Sequence, residues 1–462
     1  MAHIDESVED ADLQALLHPT TDLYRHRQSG PLVMSRGEGA RIWDNRGNEY
    51  LEGMAGLWCN SLGHGNEELA KVAYDQVKTL SFAHLFQARS NEPAIHLAKK
   101  LADLVPLESA HFFFGNSGSD ANDTQIKLVR YYNNLIGRPA KKKIISRLNA
   151  YHGVTIGAAS LTGMKTFHTN FDVPIDGVLH TEYPHYYRYS EAGETESDYV
   201  ARLAENLEKL IVNQGPETIA AFIAEPVMGA GGVLVPPRGY FPAIQNILNK
   251  YDILLIDDEV ICGFGRTGEI FGAQAVDMTP NTMTFAKALS SGYAPISAVA
   301  IPGFMHEAFV EGGKTLGTFG HGFTYSGHPL GAAIALKTLE IYERDNVYEH
   351  ARQVGEHMQA RLTDLGAHPL VGEVRGIGML GAVQIVQDKG RRTFYPVSDG
   401  VGQFCADRCL GRGLLTRAAG DALVICPPLT VTKGDIDEIF ERLSAALADT
   451  LEWAHAHGIA PV

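Results

Sequence analysis

Two short apolar runs end on charged residues, and no other feature limits the fold of this chain as much. Ile253-Leu254-Leu255-Ile256 leads through Asp257 to Asp258, and Met283-Thr284-Phe285-Ala286 leads to Lys287. Each run has the length and apolar character of a strand buried on both faces of a parallel sheet, and ligands of open α/β sheets gather outside the carboxyl ends of such strands. A lysine at the end of a buried strand is costly unless its charge is lost or paired, which makes Lys287 a functional candidate. An isolated lysine at a strand end more often snorkels to solvent, so the weight rests on the pairing with Asp258.

An amine that can condense with an aldehyde, opposite a carboxylate that can hold a protonated pyridine nitrogen, makes a site for pyridoxal phosphate (PLP). The segment Leu254-Leu255-Ile256-Asp257-Asp258-Glu259 also resembles the magnesium-binding strand of a nucleotide hydrolase, a reading that requires a phosphate loop. Gly312-Gly313-Lys314-Thr315 comes nearest, but Ala308 stands where the first glycine belongs and the segment follows the acidic strand instead of preceding it.

A chain of 462 residues with 45% hydrophobic content exceeds what one compact domain usually holds, so two or more lobes are expected. The formal net charge is −15 and no dense Lys/Arg block occurs, which argues against nucleic acid or anionic lipid as a partner. Residues 1–12 carry acids where a targeting segment would carry bases, and no apolar run is long enough to cross a bilayer; a cytoplasmic protein is expected. The five cysteines lack a Cys-x-x-Cys unit, which argues against a disulfide framework, and Cys405 and Cys409, one helical turn apart, are expected as packed thiols. The nineteen histidines include no His-Glu-x-x-His, and no metal is expected. No Gly-x-Ser-x-Gly elbow occurs either.

To about residue 75 the chain mixes polar loops with strand-like pieces at 40–43 and 49–51, as in an arm and part of a small lobe. From Ser109 the pattern alternates: strand 110–114, helix 120–136, strand 143–146, then, after a polar insertion at 182–197, helix 200–212, strand 219–225, helix 241–250 and the Asp258 strand. This alternation predicts an α/β fold with a parallel sheet. An alanine-rich helix at 332–344 leads into turned strands at 374–383. The chain closes on Ile436, Ile439, Phe440, Leu443, Leu447 and Leu451, spaced for one helix face and capped by Thr432 with Asp435. A small lobe made of residues 1–75 and 336–462 around a large cofactor-binding domain at 76–335 fits these shifts.

The strand at 110–114 runs into Gly115-Asn116-Ser117-Gly118-Ser119 and then a helix, so backbone N–H groups at that helix start can face a phosphate. Asp120 and Asp123 in the first turn would repel a dianion unless turned away. Tyr151-His152-Gly153 follows the next strand, where an aromatic ring can stack on a flat heterocycle or simply pack in the core.

Taken together, these residues resemble the class III aminotransferases of PLP fold type I, and within them the ω-transaminases that use pyruvate as amino acceptor. The resemblance runs from His18-Pro19 through Gly53-Met54-Ala55-Gly56-Leu57-Trp58, Ser117-Gly118-Ser119, Tyr151-His152-Gly153, Glu225-Pro226, the Asp258-Glu259-Val260 run with its Gly263-Phe264-Gly265-Arg266-Thr267-Gly268 tail, Lys287 and Gly322-Phe323-Thr324-Tyr325 to Arg417. It implies a mostly parallel seven-stranded sheet in the large domain and a smaller α+β domain built from both chain ends. Lys287 would bind the cofactor and shuttle protons, Asp258 would pair with the ring nitrogen, and Val260 and Tyr151 would sandwich the ring. Ser117, Gly118 and Ser119 would hold phosphate, with His152 and Glu225 near the ring. Phe323 and Thr324 would reach the neighbouring subunit's site, which makes a homodimer, or a tetramer of such dimers, part of the active site. Trp58 and Ala230 would border the substrate, and Arg417 would pair with a substrate carboxylate and swing away for an amine lacking one.

Two positions depart from close relatives: Thr20 and Thr166 stand where aromatics are frequent, a change that would widen the pocket. The implied activity is ping-pong transfer of an amino group from a primary amine or ω-amino acid to a keto acid. Use of 2-oxoglutarate, racemisation, an aminomutase shift and a PLP-binding regulator without turnover are the alternatives.

Overall fold

The computed structural model describes residues 7–461, so part of the acidic N-terminal segment lies outside the described residues. Its centre is a seven-stranded sheet in the order His111–Gly115, Ser297–Ile301, Thr282–Phe285, Leu254–Asp258, Ile219–Ala224, Lys143–Arg147, Val178–Thr181. Pairings are parallel from Thr282–Phe285 to the Val178–Thr181 edge, with Asp258 opposite Thr284 and Ala224 opposite Asp257. Ser297–Ile301 runs antiparallel to both its neighbours. It can do so because only a short 3-10 turn, Lys287–Ser290, and a few further residues separate it from the preceding strand, too little for a crossover helix.

The central strands are buried on both sides because their alternate residues meet different helices. Ile223 and Ile256 pack with Ile126 and Val129 of helix Gly118–Leu135. Phe222 and Leu255 face Tyr199, Leu203 and Leu207 of helix Glu196–Gln214 and Phe241 of helix Tyr240–Lys250. Each such side chain contributes about 1.5–3 kcal/mol by leaving water. The helices start where side chains satisfy orphan amides: Ser117 with Asp120, Thr195 with Asp198, and Thr432 with Asp435 all form reciprocal capping boxes. The helix expected at 200–212 therefore begins at Glu196, inside the stretch read as a polar insertion, which also holds the short helix Tyr186–Tyr189.

Two smaller sheets are built from the chain ends. Met34–Glu38, Arg41–Asp44 and Glu49–Glu52 form a meander whose last strand pairs in parallel with Leu414–Leu415. Val371–Ile377 and Leu380–Ile385 form the expected hairpin and continue into Ala422–Ile425 and Arg417–Ala419. Helix Lys433–Ala456 buries Ile436, Ile439, Phe440, Leu443 and Leu447, with Leu451 half-buried. Cys405 and Cys409 are buried on helix Val401–Gly411. Gly312-Gly313-Lys314-Thr315 lies inside helix Gly303–Leu316, so its amides are committed to the helix and cannot cradle a phosphate. No helix among the described residues is long and apolar enough to cross a membrane.

Candidate active site

The carboxyl ends of the central strands open into a cavity of about 560 Å³. It is lined by Trp58, Gly118, Ser119, Tyr151, His152, Glu225, Ala230, Asp258, Val260, Lys287 and Arg417, so most of the residues singled out in the sequence converge there. Ser117, Phe323 and Thr324 do not line it. Ser117 is the helix cap, and Phe323 packs its ring against Phe113 and His321, with Thr324 exposed beside it.

Asp258 is almost fully buried and its carboxylate is fixed by three donors: Asn122 Nδ2 at 2.7 Å and His152 Nδ1 at 2.7 Å on Oδ2, and the Val260 amide at 3.1 Å on Oδ1. Asn122 also donates to the His152 carbonyl at 2.8 Å, which locks the two residues together. Held this way, the carboxylate faces the cavity as an anion that need not reorganise to meet a cation.

Lys287 begins the 3-10 turn after its strand with φ +47, a left-handed conformation that L-residues seldom adopt and that functional sites often retain. Burial lowers its pKa, opposed in part by Asp258 and Glu225. Its Nζ lies 5.3 Å from the centre of the Trp58 ring, and the Arg417 guanidinium carbon lies 5.4 Å from the same ring. One indole thus stands within cation–π range of both cationic groups of the cavity. Trp58 reaches this position through a kinked turn with positive φ at Ala55, Gly56 and Trp58 itself.

Gly118 and Ser119 occupy the first two positions of helix Gly118–Leu135, where amides have no intrahelical acceptor and the dipole favours an anion. A side chain at Gly118 would press on both methyls of Val260 at 3.1 Å, and one at Gly153 would meet Ser119 Oγ at 2.5 Å, so the cup closes only with glycine at both positions. Asp120 and Asp123 do not oppose an anion there. Asp120 accepts from the Asn116 and Ser117 amides and from Ser297, and Asp123 accepts from the Ala158 amide.

Glu225 is buried and bonded by the Tyr151 amide at 3.1 Å and the Gly229 amide at 2.9 Å; burial raises its pKa. Tyr151 meets Phe167 edge to face at 5.3 Å. Of the two departures, Thr20 lines the cavity and Thr166 does not: Thr166 is exposed, and its neighbour Phe167 supplies an aromatic wall. Asn122, Met164 and Phe167 join the site without having been foreseen. Asn122 lies inside a helix, where only the position of Asp258 across the sheet gives it meaning.

Arg417 is half-buried and forms no ion pair among the described residues. A guanidinium in this state suits a ligand carboxylate, which it can meet through two parallel hydrogen bonds.

The chain matches the family model for class-III aminotransferases over residues 24–447. It belongs to that family. It is 47% identical over 94% of its length, and 84% of the relative's, to a gamma aminobutyrate transaminase 3, chloroplastic, of Solanum lycopersicum. With a gamma-aminobutyrate transaminase 1, mitochondrial, of Oryza sativa subsp. indica it shares 44% identity over 95% of this chain and 85% of that one. The solved structure of an omega transaminase from Pseudomonas jessenii in complex with PMP superposes with a TM-score of 0.96 at 48% identity, covering 97% of this chain and 99% of that chain. The protein is a PLP-dependent transaminase of fold type I, acting on an amine and a keto acid. The cavity fits this cofactor: a strand-end lysine, the fixed Asp258 carboxylate and an open helix start line a volume in the range of small-molecule sites.

Proposed function

We propose that this transaminase moves an amino group from a primary amine or an ω-amino acid to pyruvate by a ping-pong cycle, with Lys287 as proton carrier and Asp258 as the anchoring anion. PLP, when bound, supplies an aldehyde carbon and a pyridine ring that accepts electrons. Lys287 Nζ, whose charge burial disfavours, would take the proton from the amine-bearing carbon of the substrate and deliver it to the cofactor's aldehyde-derived carbon, as base and then acid. Asp258 would supply a fixed negative charge to hold the ring nitrogen protonated. At ~3 Å and an effective dielectric of ~20 the attraction is roughly 5 kcal/mol before desolvation. Gly118 and Ser119 bind the phosphate, with Ser117 capping their helix. Val260 and Tyr151 would hold the ring, with His152 and Glu225 also contributing to its binding. Trp58 and Ala230 limit the size of the substituent.

The observation that carries the substrate reading is Arg417, a half-buried cation in the cavity wall without a carboxylate partner among the described residues. A keto acid is its natural ligand in one half-reaction. The same residue would receive the carboxylate of an ω-amino donor in the other, and the names of the curated relatives favour gamma-aminobutyrate within that class. We further propose a homodimer, or a tetramer of dimers, in which Phe323 and Thr324 complete the partner's site, and a cytoplasmic location. For the domains we propose an arm and part of a small lobe at 1–75, a large domain at 76–335 and the rest of the small lobe at 336–462, supported by the pairing of Leu414–Leu415 with Glu49–Glu52.

The test is to supply the PLP-loaded enzyme with a panel of amines, gamma-aminobutyrate among them, and either pyruvate or 2-oxoglutarate. Alanine as the main product supports the proposal. Glutamate formed with no alanine contradicts it.

A further inference from the structure

The N-terminal arm brings three metal-ligating side chains together away from the cofactor site. Asp12 lies on helix Val8–Ala15, His26 on helix Leu23–Ser29, and His18 in the loop between them. His18 Nε2 is 2.8 Å and 3.0 Å from the two Asp12 carboxylate oxygens, and His26 Nε2 is 3.1 Å from Oδ1. The two imidazoles stack obliquely with centroids 4.1 Å apart, and one ligand atom from each of the three residues falls within a sphere of separations no larger than 4.8 Å. Their side chains are 25%, 13% and 12% exposed for His18, Asp12 and His26, sheltered from bulk water yet reachable by an ion.

Two arrangements explain this geometry. The carboxylate can accept a hydrogen bond from each neutral imidazole, or all three can turn their lone pairs to one cation. Tetrahedral zinc, with bonds of about 2.0–2.2 Å, sets neighbouring ligand atoms about 3.3 Å apart. The Asp12 oxygens stand 2.8–3.1 Å from the two imidazole nitrogens and all three donors lie within 4.8 Å of one another, so small side-chain rotations bring the set to that spacing. Two imidazole nitrogens with one carboxylate oxygen favour a borderline divalent ion over magnesium or calcium, which prefer oxygen throughout.

The position of the cluster gives such an ion something to do. The two residues that follow His18, Pro19 and Thr20, line the active-site cavity, and Thr20 sits at φ +48. The helices on either side of them are short and bury none of their residues, so few apolar contacts hold this segment down. We propose that Asp12, His18 and His26 form a Zn²⁺ site that ties the arm into a loop and so fixes Pro19 and Thr20 over the cavity mouth. The ion is structural: it binds no substrate and takes no part in the amino transfer.

The PLP-loaded full chain, stripped with a chelator and dialysed, is titrated with Zn²⁺ against a chromophoric competitor. About one tight site per chain is expected in the wild type, weakened by more than about tenfold in Asp12→Asn and in His26→Gln. Trypsin cleavage after Arg25 and Arg27, both exposed, should slow several-fold with Zn²⁺ in the wild type and remain fast in the variants. Should a variant fail to fold, histidine acylation of the wild type mapped by mass spectrometry serves instead, with His18 and His26 protected by Zn²⁺. Absence of a stoichiometric site, variants that bind as tightly as the wild type, cleavage indifferent to Zn²⁺, or equal acylation with and without the ion overturns the proposal.

Discussion

Asp258 is useful because it is an anion held in place by the protein before any cofactor arrives. Asn122, His152 and the Val260 amide hold its oxygens, so its charge faces the cavity in a fixed orientation. Asp258→Asn keeps the shape and removes the charge. Turnover should fall by at least about 100-fold while cofactor remains bound, and single-turnover kinetics with one amine would read it; a near-normal rate contradicts the electronic role. Arg417→Ala should raise KM for the keto acid much more than KM for an amine without a carboxylate, by about 10- to 100-fold for a lost charge-assisted pair, whereas equal losses would argue against a switching arginine. Asp258 and Lys287 were legible in the sequence because charged residues at the ends of buried strands are rare unless they have a purpose, whereas Arg417, at the start of the half-buried strand Arg417–Ala419, was pointed out only by the family resemblance. Asn122 and Phe167 were not, since their contacts depend on which strand end faces which helix.

Elements set the environment of the site as much as single residues do. The strand that delivers Asp258 to the cavity turns its neighbours to the other face, where Asp257 and Glu259 are both buried. Glu259 accepts the Gly272 amide at 2.9 Å and the Ala273 amide at 2.7 Å, while the two Asp257 oxygens meet no N–H or O–H donor. Burial and the facing Glu259 push the Asp257 carboxyl well above the usual carboxylate range, and burial raises Glu259 to about 7. A carboxyl whose pKa is raised on folding binds more protons in the native state than in the unfolded one. The stability it contributes is therefore complete below the unfolded value of about 4.5 and is lost as pH rises through about 7. In Asp257→Asn the amide donates to Glu259 at every pH, so the fall in thermal midpoint between pH 5 and pH 8 should flatten; an unchanged slope would show that the pair does not share a proton. At this scale the alternation of strands and helices was readable from hydrophobic period alone. The reversed direction of Ser297–Ile301 was not, because an apolar run carries no sign of its direction. The early start of helix Glu196–Gln214 was missed because its capping residues, Thr195 and Asp198, lie in a stretch whose polarity suggested a loop.

The whole molecule brings together segments far apart in sequence, from Trp58 to Arg417, around one cavity. That assembly is what a family resemblance could announce and composition could not. The single chain leaves Phe82, Phe86 and Tyr325 exposed, with the Phe82 and Tyr325 rings in edge contact at 5.9 Å, next to Thr324. Apolar surface of this kind is consistent with a subunit contact. If the dimer completes the site, Tyr325→Asp should shift the chain toward monomer in analytical ultracentrifugation and lower activity in proportion, and a fully active monomer would contradict shared sites. Lys287 is proposed as the residue that holds the cofactor. Borohydride reduction of the PLP-loaded enzyme, followed by peptide mass spectrometry, tests it most directly. A pyridoxyl group is expected on Lys287 in the wild type and on no lysine in Lys287→Ala; a label on a different lysine of the wild type would remove Lys287 from this role.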